Sequence, residues 1–148
     1  MICDSKGVHD DDVSFQHNYK ITWGMPHVSL LDHGREVQLS IDKYSGAGFR
    51  SKLDYVSGFF QMRLKIPNKD SRGVVTAFYL TSRAYNGVGG IHDELDYEFL
   101  GNNGRPYTLQ TNIFASDKGG REQRFNLWFD PTMDFHTYGI LWNQHQIV

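Results

Sequence analysis

The chain has 148 residues, with 15 basic and 17 acidic side chains, 39% hydrophobic and 14% aromatic residues. That length suits one domain with a real core, and the near-balanced charge gives no electrostatic case for nucleic acid or an anionic membrane surface. No apolar run approaches the ~20 residues that span a bilayer, and the lone Cys3 excludes an internal disulfide and offers no zinc cluster.

Residues 1–12, MICDSKGVHDDD, read as a disordered leader without the apolar stretch of a signal peptide, ahead of a domain over 13–148. From there the dominant period is two. EVQLSI (36–41) is the first predicted strand, followed by a turn at SGAG (45–48). In GFFQMRLKIP, Phe60, Met62, Leu64 and Ile66 alternate with Phe59, Gln61, Arg63 and Lys65, and the run closes at Pro67–Asp70. VVTAFYL (74–80), ELDYEFL (94–100), YTLQTNIF (107–114), FNLWF (125–129) and HTYGILW (136–142) read as further strands. Between them NGVGG (86–90), GNNG (101–104) and SDKGG (116–120) supply the positive φ angles of tight reversals. No segment has a 3.6-residue apolar repeat. Short strands with Gly-rich turns predict an all-β fold, an antiparallel β-sandwich or barrel.

The stretch HDELDYEFLG (92–101) weaves acidic and apolar residues together. Residues two apart on a strand share a face, so Glu94, Asp96 and Glu98 point one way and Leu95, Tyr97 and Phe99 the other. Three like charges on one face raise the cost of ionising each neighbour, which marks a candidate functional site. A solvated polar face and a calcium site fit the same spacing. Carboxylate pairs across a sugar bond are the tools of glycosidases; retaining enzymes hold them about 5–5.5 Å apart. The Cα atoms of Glu94 and Glu98 lie about 13 Å apart on a flat strand, a gap that leaning side chains on a twisted sheet shorten.

HDELDYEFLG resembles the active-site signature of the plant xyloglucan endotransglucosylase/hydrolases, H-D-E-[IVL]-D-x-E-F-L-G. SGAGFRSKLDYVSGFFQMRLKIP, GVVTAFYL, PYTLQTNIF, GGREQRFNLWFDPT and FHTYGILWN resemble further blocks in that family's order, from about Val13 to Val148. The resemblance implies a concanavalin-like jelly roll of glycoside hydrolase family 16, in its N-terminal catalytic half. It implies cleavage of the β-1,4-glucan backbone of xyloglucan, with transfer to another xyloglucan chain or to water. Glu94 would be the nucleophile, Glu98 the acid/base and Asp96 the residue orienting Glu94, with a proton held by Glu98 relieving the crowding of charge.

The resemblance also places Gln110, Thr111 and Asn112, together with Gly120, Arg121 and Glu122, along a glucan-binding cleft. Amide and guanidinium groups suit sugar hydroxyls; sheet-face polarity is the other reading of Gln110 and Asn112, and a surface salt bridge that of Arg121. Tyr79 matches a cleft tyrosine and equally fits a buried one. His92 reads as a hydrogen-bonding residue beside the site. Trp23, Trp128 and Trp142 have faces suited to sugar stacking, with core packing favoured for Trp128 and Trp142. Asp93 is assigned no catalysis and is expected to cap the strand entry.

No cofactor or metal is expected, and the expected partners are xyloglucan donor and acceptor chains, acted on by a monomer. The family is secreted, so the resemblance implies the cell wall or apoplast. Members run to nearly twice this length, so a fold truncated at the C-terminus, poorly folded or inactive alone, is expected. No Asn begins an N-x-S/T sequon, so no N-glycan is expected. A related β-glucan endohydrolase, a glucan-binding homologue without activity and a calcium-dependent lectin are the alternatives.

Overall fold

A computed structural model describes residues 14–82 and 91–148, together with the backbone of 2–4. The strands in chain order are β1 (Ile2–Asp4), β2 (Tyr19–Trp23), β3 (Val28–Leu31), β4 (Glu36–Leu39), β5 (Gly48–Ser51) and β6 (Gly58–Lys65). They continue with β7 (Val75–Thr81), β8 (Glu94–Leu100), β9 (Thr108–Phe114), β10 (Gln123–Asn126) and β11 (His136–Trp142). Every pairing is antiparallel. The chain divides into two compact units, Met1–Lys65 with Asp134–Val148, and Ile66–Met133.

The first unit holds a sheet of order β11-β6-β1-β4-β3 and a two-stranded β2-β5 ribbon. The alternation of β6 is carried into burial: Leu64 is wholly buried, whereas Phe59 faces outward. Ile140 and Tyr138 on β11, and Val37 on β4, are buried residues of this unit. Among the described residues the one α-helix, α1 (Phe15–Asn18), is a single turn capped by Ser14, whose side chain accepts from the His17 N–H. It places buried Phe15 edge-on to Phe49, with ring centroids 5.1 Å apart.

The second unit is one four-stranded sheet, β10-β9-β8-β7. Its apolar side carries Phe78, Leu95 and Phe99, all buried. Phe78 and Tyr97 sit opposite each other in the β7–β8 register, and their rings meet edge-on at 6.4 Å. The loop after β8 crosses the β7 entrance so closely that a Cβ at Gly101 would lie 1.8 Å from the Ser71 carbonyl oxygen. Only glycine fits there, and its N–H donates to the Val74 carbonyl.

Three expectations need correction. Ile2–Asp4, inside the stretch read as a disordered leader, pairs as a strand between β4 and β6; the other residues of 1–13 lie outside the described residues. The strand foreseen at 125–129 is β10, at Gln123–Asn126. Its ladder to β9 starts within the polar run REQR, which shows no alternation, and ends before Trp128. Trp128 is therefore not core: it is 86% exposed, and Trp142 is only partly covered at 37%. Strands β2, β3 and β5 were not foreseen; each has four or five residues and none stands out by alternation. The turn expected at NGVGG (86–90) lies outside the described residues.

Candidate active site

Register assembles the site from residues far apart in sequence. Across the sheet, Ala77, Glu98, Gln110 and Arg124 form one row. Tyr79, Asp96 and Asn112 form the next, and Thr81, Glu94 and Phe114 the third. Because side chains alternate, these rows share the face opposite Leu95, Tyr97 and Phe99. They border a cleft of about 450 Å³ lined by Ala77, Tyr79, the three carboxylates, Gln110, Asn112, Phe114 and Glu122. That volume lies within the range of small-ligand sites.

The three carboxylates have different surroundings. Asp96 is buried at 7% exposure, while the Glu94 side chain keeps 23%. Burial first, then the charge of Glu94, a hydrogen bond with Glu94 and the charge of Glu98 push Asp96 up to about 7, against a smaller opposing effect of His92. The crowding of like charge along the row is thus met in part at Asp96, whose carboxyl holds its proton far more tightly than a free one. A protonated Asp96 can donate to Glu94, which turns a repulsive pair into a hydrogen-bonded one. Glu98 accepts from Gln110 Nε2 at 2.7 Å, and Gln110 Oε1 accepts from Arg124 Nε at 2.7 Å.

Asn112 is buried at 5% exposure and fully engaged. Its Oδ1 accepts from the N–H groups of Ile113 and Arg121, and its Nδ2 donates to Glu122 Oε1 at 3.3 Å. It therefore sets the wall of the cleft and the position of Glu122. Tyr79 is half exposed beside Asp96, and burial together with the charges of Glu94 and Asp96 raises its hydroxyl pKa. Of its two readings, the cleft is the one its position supports.

Several expected residues sit elsewhere. Thr111 pairs with Tyr97 and Gln123 and so points to the face away from the cleft, as alternation with Gln110 and Asn112 requires. Gly120, at φ 79°, forms the turn before β10 and is not among the residues lining the cleft. Arg121 donates from Nη1 to the Ile113 and Lys118 carbonyls, which ties its head to the β9–β10 turn. His92 stands behind Glu94, with Nε2 3.6 Å from Glu94 Oε2. Asp93 ties the strand entry down, accepting from Ser116 N–H at 2.7 Å while its own N–H donates to Ser82 Oγ.

Arg124, Asp117, Ala77 and Phe114 belong to the site or its support and were not foreseen. Parity along β9 could have found Phe114, two residues beyond Asn112. Arg124 and Asp117 depend on cross-strand register, for which one sequence holds no signal. Among the described residues, no three His, Cys, Asp or Glu side chains are gathered so as to hold a metal ion.

Comparison with known proteins agrees with this architecture. The chain is 60% identical over 137 residues to xyloglucan endotransglucosylase/hydrolase protein 2 of Arabidopsis thaliana, an alignment covering 92% of this chain and 45% of that protein. It is 52% identical to xyloglucan endotransglucosylase protein 34 of Populus tremula x Populus tremuloides, covering 93% of this chain and 45% of that one. The chain thus spans about half the length of the curated relatives it matches. Among solved structures, a prokaryotic beta-1,3-1,4-glucanase (lichenase) from a mouse hindgut metagenome superposes with a TM-score of 0.67 at 25% identity, covering 88% of this chain and 66% of that one. A Bacillus licheniformis beta-glucanase does so with a TM-score of 0.69 at 20% identity, covering 99% and 71%. These likenesses bear out the all-β antiparallel jelly-roll class. The model of glycosyl hydrolases family 16 matches residues 15–148, nearly all of the described sequence, and the chain belongs to that family.

Proposed function

We propose that the chain carries the catalytic centre of a retaining enzyme that cuts the β-1,4-glucan backbone of xyloglucan and passes the fragment to another xyloglucan chain or to water. The observation that carries this reading is the Glu94–Asp96–Glu98 row on the open face of β8, with buried Asp96 hydrogen-bonded to Glu94 and raised to about 7.

In this reading Glu94 attacks the anomeric carbon while Glu98 gives its proton to the departing glycosidic oxygen, so the C–O bond to the leaving chain breaks as a glycosyl–Glu94 ester forms. Glu98, now a carboxylate, takes the proton from the 4-hydroxyl of an incoming chain or from water. The new oxygen displaces Glu94 with net retention. Asp96 orients Glu94 and holds a proton between the two steps. Gln110, anchored by Arg124, orients Glu98. Tyr79, Asn112 and Glu122 form the polar walls that sugar hydroxyls need.

The names of the curated relatives favour xyloglucan as donor and acceptor, and the setting proposed with that substrate is cell-wall construction outside the cell. A second reading, hydrolysis of mixed-linkage β-glucan, draws on the lichenase likeness. The domain over 13–148 is proposed as the partial jelly roll that holds the site.

Glu94→Gln and Glu98→Gln in the intact protein test the assignment. Each should remove nearly all turnover of xyloglucan oligosaccharides, and normal turnover in either would sink it. Equal or faster turnover of mixed-linkage β-glucan by the unaltered protein would favour the second reading.

A further inference from the structure

The loop joining β9 to β10 begins with a two-residue hairpin turn closed by reciprocal hydrogen bonds between Ala115 and Lys118. Its central residues, Ser116 (φ 50°) and Asp117 (φ 62°), are both left-handed. Turns of this kind are served best by Asn-Gly or Asp-Gly, with glycine at the second central position. Asp117 nevertheless occupies the second central position, where its carboxylate has a distinct use.

Asp117 Oδ1 accepts from the backbone N–H of His92 at 2.9 Å and lies 2.5 Å from His92 Nδ1, while the Asp117 N–H donates to the His92 carbonyl at 2.9 Å. A carboxylate only accepts, so this contact keeps the proton on Nδ1 and fixes the ring. The ring also stacks on Phe114, with centroids 6.1 Å apart and planes 18° from parallel. Held from both sides, it directs Nε2 toward Glu94 Oε2 at 3.6 Å. The charged groups against the ring are Asp117 from the turn and Glu94 from β8, while Asp93 is turned to the Ser116 N–H.

We propose that Asp117 is a positioning residue that acts through His92 on Glu94, holding the imidazole edge against the carboxylate. This rests on the reading of Glu94 as nucleophile. Glycine alone would serve the turn at this position; the carboxylate serves His92, whose N–H and Nδ1 it holds.

The test compares Asp117→Gly and Asp117→Asn with the unaltered protein at full length. Glycine suits the turn better than aspartate, so Asp117→Gly should melt at the same temperature or higher. Its kcat on xyloglucan should fall about tenfold with little change in KM, as expected when a reacting group is misplaced. Asp117→Asn keeps an oxygen that can accept from Nδ1 and should restore most of that loss. Without substrate, the ¹⁵N spectrum of the His92 ring should show a proton on Nδ1 in the unaltered protein and in Asp117→Asn, and a smaller Nδ1-bound proton population in Asp117→Gly.

Unchanged kcat in Asp117→Gly, a loss that follows a lowered melting temperature, or an unchanged ring spectrum would overturn the proposal. A protein inactive on xyloglucan before mutation would overturn the glycosidase reading instead, and the ring spectrum would then decide the positioning contact by itself.

Discussion

Gln110 links Glu98 to a cation two strands away: its Nε2 donates to Glu98 Oε2 at 2.7 Å while its Oε1 accepts from Arg124 Nε at the same distance. The amide is polarised at both ends, which strengthens the bond to the carboxylate. Gln110→Ala should lower turnover on xyloglucan roughly tenfold, the scale of one hydrogen bond to a charged group. Arg124→Met should cost less, and the double variant should cost less than the two losses combined. Steady-state kinetics on the four proteins checks the coupling; strict additivity would show that Arg124 does not act through Gln110.

Asp96 makes stability depend on pH in an unusual direction. Its folded pKa of about 7 lies above the ordinary value of 3.8, so the folded state binds its proton more tightly than the unfolded chain does. Below about pH 4 both states are protonated and the residue costs nothing. As the pH rises from there towards 7, the unfolded chain ionises first and the folded protein loses stability; above about 7 the loss is complete. Asp96→Asn cannot ionise. The variant's melting temperature relative to the parent should rise between pH 4 and 7 and then level off, while its activity falls. A difference constant across that range would contradict the buried, proton-holding Asp96.

Gly119 lies beneath Phe114. A Cβ at that position would come within 2.6 Å of the Phe114 ring, which borders the cleft and stacks on His92. Gly119→Ala should displace the ring and lower kcat/KM on xyloglucan several-fold with a modest loss of stability. Kinetics alongside thermal melts checks this, and wild-type kcat/KM would show that the ring position is immaterial.

Phe99 is the deepest residue of β8, at 2% exposure, on the face opposite Asp96 and Glu98. Phe99→Ala should destabilise the fold by ~3–5 kcal/mol, measured by denaturant unfolding. A loss under ~1 kcal/mol would mean that β8 is held by its ladders alone.

β8 was legible in the sequence because two signals coincide there, its alternation and the density of acids. Its alternation gives the face, and its bounds at Glu94 and Leu100 were read correctly. β11 was legible for the same reason, with Tyr138 and Ile140 as its inward residues. β10 was displaced because the apolar FNLWF outweighed the polar REQR, whose strand character comes entirely from pairing with β9. Thr111 was grouped with its neighbours by motif, although parity alone sends it to the opposite face. The role of Asp96 was partly readable: three acids in a row announce crowding, but that Asp96 is raised so far depends first on its burial, which one sequence does not show.

β8 is paired along its whole length on both sides, Val75–Thr81 on one flank and Thr108–Phe114 on the other. A slip of one position would turn every acid of the row inward and every apolar anchor outward. Single substitutions can weaken this centre by degrees, whereas inserting or deleting one residue within the strand should abolish it at once. Length variation among natural or engineered versions should therefore collect in the connecting loops and leave the seven residues from Glu94 to Leu100 constant in number.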